Sequence, residues 1–392
     1  MNKYAQNIRR RLHQYPEIGF DLDRTLELVR GELTSMGIPF TEEYGKSSLV
    51  ATINPEKSHF TVGIRADMDA LPIQEVAGRE YGSRIDGQMH ACGHDVHTAV
   101  ALAAAKELNE IKEQLSCRVK ILFQAAEEYP PSGAKLMVAD GVMKDIDCTV
   151  ALHCDPTRAV GTVSISANEQ NAVSHGFYLH FYGRSAHVAN QQEGVDAILM
   201  AVRACTALEM VVAKEVRAVE PVIFNVGAIH GGKANNVICD HCVMFCTLRT
   251  WRGEVDAHLI QRFKEICEGV ATSSGGRFTF EESKYYPVLV NDPTVTERLR
   301  AAAIAALGEE KVKEKKTRSM GAEDFSYMCQ EKPGAMFQLG IRNEACGITA
   351  GLHHDDFDSD ENSLEVGVKV FTQFVLDNMN GIQNLPKEGH RA

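Results

Sequence analysis

The densest concentration of reactive side chains in this 392-residue chain is His90-Ala91-Cys92-Gly93-His94-Asp95-Val96-His97. A thiol, three imidazoles and a carboxylate fall within eight positions. Cys92 and His94 are two residues apart, so on an extended or looping backbone both can address one point. Soft and borderline donors gathered this way suit a divalent transition metal such as zinc. Taken alone, the stretch also fits a buried thiol beside surface histidines. Thr98 to Leu108 follows as a strong helix former, and Asp95 is placed to cap it.

Four further groups could join such a centre. Glu127 and Glu128 are adjacent carboxylates, followed by Pro130 and Pro131, which stiffen the loop. Adjacent residues leaving a strand point in opposite senses, so one could bind a cation while the other faces a water and takes its proton. Asp67 and Asp69 share a face. Either could be a ligand, and either could instead orient an imidazole. His153 ends an apolar run. Leu352 to Phe357 adds His353 and His354 among acids, where a polar surface loop competes with a ligand role.

The elements that must position these groups alternate. Helical spacing runs from 3 to 36 with a break near Pro16. Strands are expected at Leu49–Ile53, Phe60–Ala66, Cys117–Phe123, Cys148–Leu152 and Ala335–Gly340. Helices are expected at Ala134–Met143, Thr294–Leu307 and Leu364–Asn378. Asp67 and Asp69, Glu127 and Glu128, and His153 each follow the carboxyl end of a strand. That is where sites form in open α/β sheets. Between residues 173 and 283 the order becomes strand-helix-strand-strand-helix-strand, the split βαβ pattern of a ferredoxin-like domain inserted into the first. The expected division is a catalytic domain over 1–172 and 284–392, with the insertion over 173–283. The tail after Gly381 is expected to be loose.

Composition narrows the function classes. Hydrophobic content of 44% and charged content of 24% are those of a globular protein, and 392 residues exceed one ordinary core. A net charge of -12 argues against nucleic acid or an anionic membrane as partner. No apolar run spans a bilayer, and the polar N-terminus has no signal-peptide core. Eleven scattered cysteines fit reduced thiols in a cytoplasmic protein.

These residues also match a family. The chain resembles the aminoacylase/carboxypeptidase metallopeptidases, in the amidohydrolase branch containing hippurate hydrolase, N-acetyl-diaminopimelate deacetylase and auxin-conjugate hydrolases. The resemblance rests on Arg11-Leu-His13 with Pro16-Glu17, Arg65-Ala-Asp-Met-Asp-Ala-Leu-Pro72, Met89 to Asp95, Phe123-Gln with Ala126-Glu-Glu128, and Leu152-His153. It continues through Ser185-Ala-His187, Gly194-Val-Asp196, Gly231-Gly232, Asn236-Val-Ile238, Leu248-Arg-Thr250, Met320-Gly, Glu323-Asp-Phe325 and Leu352-His353.

It implies an α/β fold in which a mixed-sheet metallopeptidase catalytic domain carries an inserted ferredoxin-like α+β lid and dimerisation domain. It further implies two divalent metal ions (zinc, manganese, nickel or cobalt) held by Cys92, His94, Glu128, His153 and His353. Glu127 would be the general base and Asp69 an outer carboxylate. His187 would polarise the scissile carbonyl, while Asn236 and Arg249 would meet the substrate carboxylate.

The implied reaction is amide hydrolysis of an N-acyl amino acid by a homodimer or higher homo-oligomer. A dipeptidase, an N-acetyl-diaminopimelate deacetylase and an inactive metal- and carboxylate-binding homologue are the alternatives. Departures from the family pattern are Ala125 and Cys239 in place of prolines, Tyr129 to Ser132 in place of a Gly-rich turn, and Val188 to Glu193 without the usual Pro-His.

Overall fold

The computed structural model describes residues 2–314 and 318–390. The chain divides into two compact units: residues 171–289 with 319–323 form unit 2, and the remaining described residues form unit 1.

Unit 1 opens with α1 (Asn2–Gln14) and α2 (Asp23–Met36), broken at Pro16 as the spacing implies. It continues through β1 (Phe40–Thr41), β2 (Leu49–Ile53), β3 (Thr61–Asp67), α3 (His94–Glu110), β4 (Arg118–Gln124), α4 (Gly133–Ala139) and β5 (Cys148–Ala159). Two short strands follow, β6 (Val163–Ser164) and β7 (Asn168–Asn171). Eight strands of this unit form one mixed sheet, completed by β13 (Val312–Lys313) and β14 (Gly334–Arg342), in the order β1-β2-β4-β3-β5-β14-β6-β13. Its centre is parallel: β3 pairs with β4 and β5, and β5 with β14, all in the same sense, while β2 runs against β4. Four carboxyl ends therefore point to one rim.

The α3 helix explains how that rim is held. Ala99 through Ala105 is completely buried, and small side chains let neighbouring elements approach closely. Gly367 sits at one such approach, where a Cβ would lie 2.9 Å from Val100. It belongs to α9 (Asn362–Asn378), which follows α7 (Pro293–Leu307) and α8 (Phe325–Glu331). Of these, α8 is too short to register as periodicity. β5 also extends seven residues beyond its expected end at Leu152, because β14 pairs with it as far as Ala159. Contrary to expectation, the tail is tied down: Gly389 and His390 donate backbone hydrogen bonds to Glu331 and Cys329.

Unit 2 runs β8 (Val173–Tyr182), α5 (Ala197–Glu215), β9 (Val222–Gly231), β10 (His241–Thr250), α6 (Gly253–Ser273) and β11 (Arg277–Tyr286), the chain then passing into β12 (Leu289–Asn291). The sheet order is β11-β8-β10-β9, all antiparallel, which is the ferredoxin-like arrangement. Strict alternation produces it. Phe177, Leu179 and Phe181 on β8 and Cys242, Met244 and Cys246 on β10 bury one face, against Met200, Ala204 and Leu208 of α5 and Phe263 of α6. All eleven cysteines are free thiols. Among the described residues no helix is long and apolar enough to cross a membrane.

Candidate metal centre

The loop between β3 and α3 bends at Gly93, whose φ of 87° is left-handed. A side chain there would also strike Cys154, since an added Cβ would lie 2.7 Å from its Sγ. Gly93, rather than Asp95, occupies the cap position of α3, and no side chain caps this helix. Asp95 sits inside the first turn, where it accepts from Arg9 Nε at 2.8 Å and faces His13 Nδ1 at 2.8 Å. His13 Nε2 lies 3.3 Å from Glu75. This buried set ties α1 to the turn that carries His94.

Around that turn the structure gathers Cys92, His94, Glu127, Glu128, His153 and His353. Donor atoms of Cys92, His94 and His153 lie within 4.8 Å of one another, and so do those of Cys92, Glu128 and His353. The Cys92 thiol belongs to both groups. His94, Glu127 and Glu128 form a third group on the same criterion. Two imidazoles are oriented by backbone carbonyls. His94 Nδ1 donates to Asp69 O at 2.8 Å, and His153 Nδ1 donates to Cys154 O at 2.8 Å. Each ring therefore presents Nε2 as an electron-pair donor. His153 Nε2 lies 3.6 Å from Cys92 Sγ, and His94 Nε2 is buried with no hydrogen-bond partner.

Two strained residues flank the donors. Ala126, just before the glutamates, has φ 49°, and His353 has φ 63°. Left-handed backbone costs such residues on the order of 1 kcal/mol each, and these conformations are held by neighbours. The His353 N–H is strapped to Ala91 O at 2.8 Å, which brings a segment distant in sequence onto the Cys92 loop. Asp69 supports the other side: its two oxygens accept the Glu127 and Glu128 N–H groups at 2.9 and 3.1 Å. Ala125, where the family has proline, donates its N–H to Ser48 Oγ at 3.1 Å, a bond that proline could not make.

The electrostatics call for a cation. Burial pushes the Cys92 thiol well up, and the Glu128 carboxylate adds to it. Burial also works against charge on Glu128, but the hydrogen bond from His353, 3.1 Å away, and the neighbouring His94 hold its carboxyl at about 2. A dication would relieve the crowding of carboxylates and convert the thiol to a thiolate ligand. The donor set, with a His94 Nε2 that accepts no hydrogen bond among the described residues, thus fits a metal centre.

Asp67 and His97 face the same rim but bond to each other, with Asp67 Oδ1 2.5 Å from His97 Nδ1. Behind them Arg65 bridges Asp67 and Asp324 at 2.8 and 2.6 Å. Asp324 also accepts from Gln124 and Ser132 on either side of the glutamate loop. Nothing in the spacing of Arg65 and Asp324, 259 residues apart, discloses this pair.

The other three candidates lie in unit 2. His187 and Asn236 are brought together, because Val188 N–H donates to Asn236 O at 3.1 Å and His187 pairs with Val237. His187 Nδ1 accepts the Ala189 N–H at 3.1 Å, so the exposed Nε2 carries the proton. Cys239, the other proline departure, is buried and donates to His241 O at 3.0 Å. Arg249 stands on β10 with Nη1 buried and without a hydrogen-bond partner among the described residues, and burial pulls its pKa down.

Comparison with known proteins adds the context. The profile of peptidase family M20/M25/M40 matches residues 63–377. N-acetyl-L-cysteine deacetylase of Bacillus subtilis is 34% identical over 364 residues, covering 93% of this chain and 85% of that protein. IAA-amino acid hydrolase ILR1-like 4 of Arabidopsis thaliana is 33% identical over 378 residues, covering 94% and 85%. The crystal structure of the Bacillus subtilis YXEP protein, a dinuclear metal binding peptidase, superposes with a TM-score of 0.81 at 28% identity, covering 97% of this chain and 99% of that one.

Proposed function

Because the chain belongs to peptidase family M20/M25/M40, we propose that it is a dinuclear metal-dependent amidohydrolase of N-acyl amino acids or similar small conjugates. The observation that carries this reading is the Cys92 thiol shared by two donor groups, with Glu127 beside them. Cys92, His94, Glu128, His153 and His353 are assigned as ligands, with zinc, manganese, nickel or cobalt as the cations. Two such ions would acidify a water and polarise the acyl carbonyl when bound.

Glu127 then takes a proton at its carboxylate and returns it to the leaving nitrogen. Asp69 keeps that carboxylate in place through the backbone N–H groups of both glutamates. His187 donates from Nε2 to the developing oxyanion, a role favoured by the tautomer that Ala189 imposes. Arg249 and Asn236 bind the amino-acid carboxylate. A half-buried guanidinium whose Nη1 has no hydrogen-bond partner among the described residues supports an anionic ligand there. The names of the two relatives, an N-acetyl-L-cysteine deacetylase and an IAA-amino acid hydrolase, support N-acyl amino acids or similar conjugates as substrates. A homodimer is proposed as the working assembly, and sedimentation tests it.

Hippurate, N-acetyl amino acids and dipeptides, each tried on metal-loaded protein, test the substrate class. Glu127→Gln is expected to retain metal and lose roughly 10²- to 10⁴-fold in kcat. Full turnover by that variant would remove Glu127 from the mechanism. Tight ligand binding by wild type with no turnover at all would end the enzyme reading.

A further inference from the structure

His97 lies one helical turn beyond His94, close to the His153 ring, with centroids 5.0 Å apart. A ring nitrogen of His97, a carboxylate oxygen of Asp67 and a ring nitrogen of His94 lie within 4.8 Å of one another, a distance at which a cation could be shared. The hydrogen bonds point elsewhere. His97 Nε2 accepts the Cys154 N–H at 3.0 Å, so that nitrogen carries no proton and its lone pair is already engaged. Nδ1 therefore holds the proton and donates it to Asp67 Oδ1. Asp67 Oδ2 is taken by Arg65 Nη1, and Arg65 Nη2 by Asp324. Both ring nitrogens are thus engaged, and each Asp67 oxygen has a donor.

We infer that His97 is no ligand but a positioning residue, which fixes the His153 imidazole by gripping the peptide that follows it. This assignment rests on the dinuclear reading above. The physical reason is local. The His153 ring is tethered by a bond from Nδ1 to the carbonyl of Cys154, the residue whose N–H His97 holds. Fixing that residue from outside fixes the carbonyl that aims the ring. Asp67 selects the tautomer that can do so, and Arg65 with Asp324 holds Asp67 in register across β3. Because Asp324 also binds Gln124 and Ser132, one buried chain of polar contacts braces the His153 stretch of β5 and the glutamate loop together.

The inference separates the two cation positions. His153 shares a donor group with Cys92 and His94, whereas Glu128 and His353 share the other with Cys92. Loss of His97 should therefore weaken one position and spare its neighbour. The test is titration of chelator-treated full-length protein with Co(II), following ion stoichiometry and the thiolate-to-cobalt absorption of Cys92. Wild type is expected to take two ions. In His97→Phe one binding step should weaken by about 10- to 100-fold, the usual effect of losing a residue that orients a ligand, while the other stays within error.

His97→Gln keeps an acceptor for the Cys154 N–H and a donor for Asp67, so it should lie between the two and serves if the Phe variant fails to fold. A residue that only stabilises the fold would lower the melting temperature of metal-free protein and leave the ratio of the two steps unchanged. That result overturns the assignment, as would titration curves overlaying wild type. Failure of wild type to bind cobalt would instead overturn the dinuclear reading and this inference with it.

Discussion

The two units treat their polar groups in opposite ways. In unit 1 the chemically capable side chains other than the exposed His353 are buried or half-buried, and nearly every one is oriented by a partner: His94 by Asp69 O, His153 by Cys154 O, the glutamates by Asp69, and Asp67 by Arg65 and His97. In unit 2 His187 and Asn236 are exposed, and Arg249 is half-buried with no acidic partner among the described residues. Preorganised donors hold a cation in fixed geometry, because nothing needs to reorganise when it binds. Groups whose hydrogen-bonding capacity is unspent are suited instead to a ligand that arrives from solvent.

Substitutions can break that contrast. The largest effect is expected for Cys92→Ala, which removes the donor common to both groups. Metal analysis should show loss of both ions, and hydrolysis should fall by several kcal/mol of barrier, roughly 10³-fold or more. Retention of one full equivalent with activity would mean that the thiol bridges nothing. Next is His187→Ala, expected to lower kcat by about 10²- to 10³-fold while metal content stays at the wild-type value. A fall in metal content would show that unit 2 helps build the centre, and the contrast would be wrong. The smallest is Arg249→Met. KM should rise roughly 10-fold or somewhat more for substrates with a free carboxylate and hardly change for their carboxamides, in line with the loss of one charge-assisted bond. Equal losses for both substrate types would move the carboxylate contact to another residue.

Much of the fold was legible in advance because it rests on periodicity. Alternation in Ser174–Tyr182 and helical spacing in Val255–Val270 were enough to recognise unit 2, whose core needs only one apolar face per element. The strand-end position of Asp67 and Glu127 was legible for the same reason, whereas His153, expected at a strand end, lies inside β5 because pairing with β14 carries that strand on to Ala159. Short elements such as α8 were not, since seven residues barely complete two turns. The role of Asp95 was misread from local propensity. A carboxylate at a helix start is favoured as a cap, but burial beside Arg9 and His13 offered it charged partners inside the first turn.

The order of residue types along the chain determined which chemistry is possible: carboxylates just beyond parallel strands, a thiol and imidazole at a helix start, and glycine at 93, where only a small residue at left-handed φ is tolerated. Tertiary structure alone decided the division of labour among them. Whether an imidazole ligates or positions depends on which nitrogen is already bonded, and the answer for His97 comes from a peptide N–H 57 residues away. His353 likewise joins the centre only because its backbone hydrogen-bonds to Ala91. Hydrogen bonds between distant segments carry no periodic trace in the sequence, and they set the direction of each lone pair.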